Sequence, residues 1–203
     1  MNEFVILASL IFFLSIFQSI YGIGLLALGT PILIILNFTF TEVLLTLLPS
    51  SLIVSTLTFL FIKDFNSLNK KFIFDITSYS LIGLILGLFL IFFNKIDPNF
   101  KILIGLIIIF SFMFKKKIKF FFSQFKKNKL IVLIIGFIHG ISNMGGSFLS
   151  IYLICIFKKK ELIRYHITYA YIVFALTQLI YLYFLDKFNE MNLDLINILV
   201  FFS

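Results

Sequence analysis

The sequence predicts an all-α polytopic membrane protein. Hydrophobic residues make up 61% of the chain and charged residues 13%, with a mean hydropathy of +1.13. Soluble domains run at about half apolar and a quarter charged, so the excess is too large for one buried core. Apolar blocks of 17 residues or more recur from Phe4 to Phe184, and about 20 such residues cross a bilayer as a helix. Basic residues gather in short loops between the blocks, as the positive-inside rule expects of cytoplasmic loops.

The blocks fall at 4–36, 43–62, 72–93, 102–114, 130–157, 165–185 and 192–203. The first begins after Glu3 rather than a basic stretch and runs on into further apolar sequence, so Phe4–Ile20 reads as a retained segment rather than a cleaved signal. Two blocks are overlong. Block 130–157 holds 28 residues, about 42 Å of helix against a hydrocarbon core of roughly 30 Å. It is interrupted by Ser142-Asn143-Met144-Gly145-Gly146, and block 4–36 by Tyr21-Gly22-Ile23-Gly24 and again by Gly29-Thr30-Pro31. Polar, glycine-rich interruptions inside apolar blocks predict helical pieces joined by turns, either re-entrant hairpins or short double passes.

The sidedness of the basic residues selects between returning and crossing. If both interrupted blocks return, loops 63–71, 115–129 and 158–164 share one side and carry 14 of the 17 basic residues, leaving Lys95, Lys101 and Lys187 opposite. If both cross once, the split is 11 to 6. The first partition fits the positive-inside rule better and sets the N-terminus outside. The two interrupted blocks then enter from opposite sides. Their sequences correspond at an offset of about 120, Gln18–Gly24 with His139–Gly145 and Thr41-Glu42 with Lys160-Glu161. The plan is one membrane domain of two inverted repeats, about 4–114 and 130–203, joined by the basic cytoplasmic loop 115–129. The second is incomplete, because 192–203 gives only 12 residues, about 18 Å of helix. The expectation is that the natural chain continues past Ser203 or that this segment packs without crossing.

Half-helices meeting in the bilayer present unpaired N–H groups and a partly positive helix N-terminus, an arrangement suited to an anion. Gly22, Gly24, Gly145 and Gly146 admit a ligand to the backbone, and Ser142 and Asn143 add uncharged donors. The other reading of these glycines is close helix packing. Arg164, Thr168, Tyr171, Ala175 and Gln178 share one face of the helix over 165–185, and Ser51, Ser55 and Thr58 one face of the helix over 43–62. A polar face in lipid looks inward, toward a substrate path or toward its own helix backbone. Arg164 reads as a cytoplasmic anchor, Asp75 as interfacial, and Pro49 as freeing the carbonyl of Leu45. His139, in the place that Gln18 takes in the first repeat, is a candidate proton relay or a hydrogen-bonded core residue.

No carboxylate pair, Ser/His/Asp set, His/Cys metal spacing or phosphate-binding loop occurs, so neither catalysis, a cofactor nor a metal is expected. A lone Cys155 allows no intrachain disulfide. The net charge of +8 lies in the loops and does not point to nucleic acid. The expected partners are the lipid bilayer and a small anion.

Gly22 and Gly24 with the following Pro31, and the stretch Gly136-Phe137-Ile138-His139-Gly140-Ile141-Ser142-Asn143-Met144-Gly145-Gly146, resemble the TauE/SafE family of membrane transporters, the sulfite exporter family. By position, Gly22, Gly24 and Pro31 stand for the first motif of that family and Asn143, Gly145 and Gly146 for the second. The glycine run is thinned to Gly-Ile-Gly, and Tyr152 stands where a second proline is expected. The resemblance implies a multi-pass transporter of the cytoplasmic membrane moving sulfite, a sulfonate or another small organic anion. With no ATP-binding motif, a gradient must drive it. The rival reading is a non-transporting membrane scaffold or assembly subunit, which has the same hydropathy but no need of paired breaks.

Single cysteines in a Cys155-free background test the topology. Residues 37–42 should label from outside and residues 158–160 from the cytoplasm; labelling of both from one side would remove the inverted-repeat plan.

Overall fold

The computed structural model describes residues 2–22, 24–61, 70–93, 99, 101–102, 105–106, 108–109, 115–125 and 128–190. The final block, loop residues 62–69 and the Asp75 side chain lie outside the described residues. The described residues are helical with no strand. In chain order the helices are α1 (Asn2–Tyr21), α2 (Leu25–Ile35), α3 (Phe40–Leu60), α4 (Lys70–Phe93), α5 (Lys115–Gln124), α6 (Lys129–Ser142), α7 (Gly145–Ile156) and α8 (Lys160–Phe184), followed by a 3₁₀ turn at Lys187–Glu190. Among the described residues three stretches are long and apolar enough to cross a membrane, Phe40–Leu60, Ile76–Phe93 and Lys160–Phe184, and α1, α2, α6 and α7 are shorter apolar helices.

Local chemistry sets the boundaries. α3 starts three residues ahead of its apolar block because Thr39 and Glu42 form a capping box: the Glu42 N–H donates to Thr39 Oγ1 (3.3 Å) and the Thr39 N–H to Glu42 Oε2 (2.8 Å). Asn128 caps α6 by accepting from the Leu130 N–H (2.8 Å). The expected second interruption of the first block is absent, and α2 runs unbroken through Gly29-Thr30-Pro31. Proline removes one ladder bond, which a membrane helix tolerates when neighbouring helices enclose the freed group. Ala27, whose carbonyl Pro31 frees, is buried with Leu26, Gly29 and Thr30.

Ring contacts sort the helix ends into two groups. At the basic end Phe59 meets Tyr165 (4.9 Å between centroids), Phe157 meets His166 (4.5 Å), Phe122 meets Tyr152 (5.5 Å), and Lys129 Nζ lies 4.9 Å over the Tyr79 ring. At the other end Phe92 meets Phe40 (6.5 Å) and Tyr181 (6.2 Å). There the start of α1, through Ile6, Leu7 and Leu10, lines one groove with Leu36, Asn37, Phe38 and Glu42 from the end of α2 and the start of α3. Each interrupted block therefore returns to the end at which it starts. α1 and α2 form one hairpin and α6 and α7 another, opening at opposite ends.

The tightest packing joins α4 to α6. Gly83 and Gly87 on one face Gly136 and Gly140 on the other, two pairs at four-residue spacing. A Cβ on Gly136 would collide with the Ser80 carbonyl oxygen, one on Gly83 with that of Leu133, and one on Gly140 with that of Leu84. Backbone lies directly on backbone, the way helices gain dispersion energy when lipid gives no hydrophobic drive between them. α3 packs along α8, and α2 lies on α3. Outward-facing Phe12, Phe13, Leu86 and Ile180 are exposed, whereas Leu25, Leu44, Leu48, Leu84 and Phe174 are fully buried.

Gly136→Ala should destabilise the protein by about 1–3 kcal/mol or more through overpacking, seen as earlier unfolding in mixed detergent and denaturant. Leu86→Ala on the exposed face of α4 should change little; equal effects would mean that the α4–α6 contact can relax.

Candidate functional site

The turns of the two hairpins are built alike from residues 121 positions apart. Gly22 at φ 76° and Asn143 at φ 59° each take the left-handed conformation that ends a helix. The Gly22 N–H donates to the Gln18 carbonyl (2.8 Å) and the Asn143 N–H to the His139 carbonyl (2.7 Å). The second half-helix then starts against the first. A Cβ on Gly24 would sit 2.9 Å from the Gln18 nitrogen and 3.0 Å from the Leu14 oxygen, and one on Gly145 2.7 Å from the His139 nitrogen and 2.5 Å from the Ile135 oxygen. Glycine is required at Gly24 and Gly145 because the chain's own backbone fills the space. The sequence expectation that these positions open the backbone to a ligand does not describe the surroundings seen here.

Protein groups satisfy the first turn completely on the side of Gln18. Its amide donates to the Ser51 carbonyl (3.1 Å), Ser51 Oγ (2.9 Å) and Ser55 Oγ (2.9 Å) on α3. Its Oε1 accepts from the Leu25 N–H (3.2 Å) at the start of α2. An uncharged oxygen thus occupies the partly positive N-terminus of α2. From α8, Arg164 donates a guanidinium N–H to the Ser19 carbonyl in the last turn of α1. Ile167 lies against Gly22. Ser51 and Ser55 are therefore partners of Gln18, and Arg164 binds the first turn rather than the bilayer surface.

The second turn differs. His139, in the place of Gln18, is fully buried; neither ring nitrogen makes a close hydrogen bond, and the Gln178 amide is the polar group that reaches it. Its ring packs on Phe174 (4.7 Å) and edge-on to Tyr171 (6.1 Å). The Tyr171 hydroxyl and Asn143 Oδ1 are buried without a partner, and the Gln178 amide atoms make no close hydrogen bond. The Tyr171 hydroxyl lies against Gly146, in the first turn of α7, where a Cβ would collide with it. Met144, the N-cap of α7, supplies no side-chain bond.

The profile of the family described as Sulfite exporter TauE/SafE matches residues 7–203. The chain belongs to the TauE/SafE family. No match is found among curated proteins or among solved structures. The TauE/SafE match covers both hairpins.

Of the residues the sequence offers as a substrate site, the structure brings together His139, Gly145, Gly146, Tyr171 and Gln178. Asn143 is tied to the first hairpin, donating Nδ2–H to Thr30 Oγ1 (3.0 Å) on α2. Ser142 and Thr168 spend their hydroxyl protons on their own helices, on the Ile138 carbonyl (2.6 Å) and the Arg164 carbonyl (2.8 Å). Gly22, Gly24 and Ser55 belong to the Gln18 network instead. Sequence reasoning left out Thr30 and Phe174. Thr30 had a signal, a hydroxyl beside Pro31 inside an apolar half-helix; Phe174 had none among 30 phenylalanines.

Gln18→Leu should strand the Leu25 N–H, at about 1–3 kcal/mol for that group alone, and lower the unfolding midpoint in detergent. His139→Leu, which breaks no such bond, should lower it less, and the reverse order would overturn the difference between the turns.

Proposed function

We propose that the chain is a secondary transporter that moves a small anion, sulfite, a sulfonate or another small organic anion, across the cytoplasmic membrane by alternating access. Family membership supports a membrane transporter of small anions. The observation that carries the finer reading is the cluster of buried polar groups with unmet hydrogen-bonding capacity at the second turn: the Tyr171 hydroxyl, and the His139 ring and Gln178 amide, which have at most each other. Such groups cost about 1–3 kcal/mol each when left unmade, and native folds keep few of them. An oxyanion offers acceptors to the Tyr171 O–H, the Gln178 N–H₂ and one His139 N–H, next to the start of α7 with its helix dipole. In this reading the Gln18 oxygen plays the anion's part at α2, so the first turn is structural and the second binds. His139 is also the group here suited to carry a proton with the substrate.

The two hairpins open at opposite ends and share turn geometry at one sequence offset, which supports reading them as inverted repeats. Alternating access then moves one hairpin against the other. α8 runs past both turns, with Arg164 and Ile167 at the first and Tyr171, Phe174 and Gln178 at the second.

Uptake and efflux of labelled sulfite and sulfonates in proteoliposomes test the proposal. Tyr171→Phe and Gln178→Leu should each weaken anion affinity about ten- to a hundredfold, the loss of a hydrogen bond to a charged group. Tyr171→Phe should not reduce thermal stability, since it removes a hydroxyl without a partner. Undiminished transport by both variants at matched abundance would move the site elsewhere, and no transport of any anion by the unaltered protein would favour a membrane scaffold.

A further inference from the structure

α5 is unlike its neighbours. It reads Lys-Lys-Lys-Ile-Lys-Phe-Phe-Phe-Ser-Gln, and its 10 residues make about 15 Å of helix, half of what a crossing needs. It lies at the basic end, docked on α7 through Phe122, which is buried and edge-on to Tyr152 (5.5 Å). Phe120 and Phe121 are 65% and 50% exposed, and Lys116 and Lys117 are exposed as well. Bulky rings and ammonium groups exposed on one short helix mark a helix lying in the plane of the interface, rings among acyl chains and lysines at the headgroups.

Between α5, α6 and the start of α7 runs a groove of about 330 Å³, lined by Ile118, Phe121, Ile131, Ile134, Ile138 and Phe148 among others, with Lys117 as its charged member. Among the described residues the remaining lining is hydrocarbon, which suits an acyl chain rather than a free hydrophilic ion. Lys117 belongs to the loop carrying 7 basic residues between 115 and 129.

The geometry points to a site for an anionic phospholipid of the leaflet facing the basic loops, one acyl chain in the α5–α6–α7 groove and its phosphate at Lys117. Charge complementarity chooses this lipid over a zwitterionic one: the lysine attracts the phosphate, and no carboxylate among the described residues lines the groove to repay a choline. The placement gives the site consequence. Phe148 belongs to α7, the half-helix that begins at Gly145, and Ile135 and Ile138 to the turns of α6 just before His139, so an occupied groove props the outer side of the second hairpin.

The test uses the full-length protein, delipidated in detergent and titrated with phosphatidylglycerol or phosphatidylcholine of identical chains, bound lipid being counted by native mass spectrometry. Phosphatidylglycerol should bind at least fivefold more tightly. Lys117→Gln should erase that preference by about fivefold, the factor that corresponds to about 1 kcal/mol for one lysine near a lipid surface. Lys158→Gln, an exposed lysine outside the groove, should leave it intact. Ile134→Trp, which fills the groove from its lipid-facing wall, should weaken both lipids. Equal binding of the two lipids, or an equal effect of Lys117→Gln and Lys158→Gln, would overturn the site in favour of general surface charge. Displacement of phosphatidylglycerol by chain-free glycerol phosphate at similar concentration would overturn it in favour of a plain anion site.

Discussion

A backbone N–H or carbonyl that loses its helical partner inside hydrocarbon has no water to turn to, at a cost of several kcal/mol. This chain interrupts two of its helices in the apolar interior, and much of the rest of the structure answers that cost. Left-handed residues at Gly22 and Asn143 close the ends of α1 and α6. Arg164 reaches across from α8 to a carbonyl of the last turn of α1. Gln18 holds the first amide of α2 while gripping two serines of α3. Long-range polar bonds in the described residues fall largely at these turns, because that is where the backbone leaves something to satisfy.

The hairpins also need neighbours that let them lie flat. Glycines do this by omission: Gly83, Gly87, Gly136 and Gly140 let α4 and α6 meet at backbone distance, and Gly24 and Gly145 let each second half-helix start against its first. Dispersion at such contacts replaces the hydrophobic drive that lipid removes. The arrangement is unforgiving, since a single methyl would meet a carbonyl oxygen rather than a flexible side chain. Asn143 links the hairpins through Thr30, so the turn of one is referred to the middle of the other.

Within this shared scaffold the two turns divide their roles through one substitution, Gln18 against His139. An amide carries donors and an acceptor together and serves α3 and α2 at once. Imidazole offers one donor and one acceptor at most when neutral, and here Phe174 and Tyr171 hold it where the Gln178 amide is the polar group that reaches it. Stability is concentrated at the first turn and unmet hydrogen-bonding capacity at the second. Sites that bind are often places where a fold tolerates such a deficit.

The sequence by itself determined the membrane class and the positions of the two turns. Hydropathy, block length and charge are properties that bilayer thickness and the positive-inside rule act on without reference to tertiary contacts. It also carried the Thr39–Glu42 capping box and the Gly83/Gly87 and Gly136/Gly140 spacings, local patterns with a direct mechanical reading. Tertiary structure alone decided what each polar group touches. The polar faces of α3 and α8 show which side turns inward but not what it meets there, so nothing in the order of residues pairs Gln18 with Ser51 and Ser55, lets Pro31 stay within a continuous α2, or gathers His139, Tyr171 and Gln178 at one turn. Those outcomes follow from which backbones approach closest, and the glycine contacts of α4 and α6 fix that only once the chain is folded.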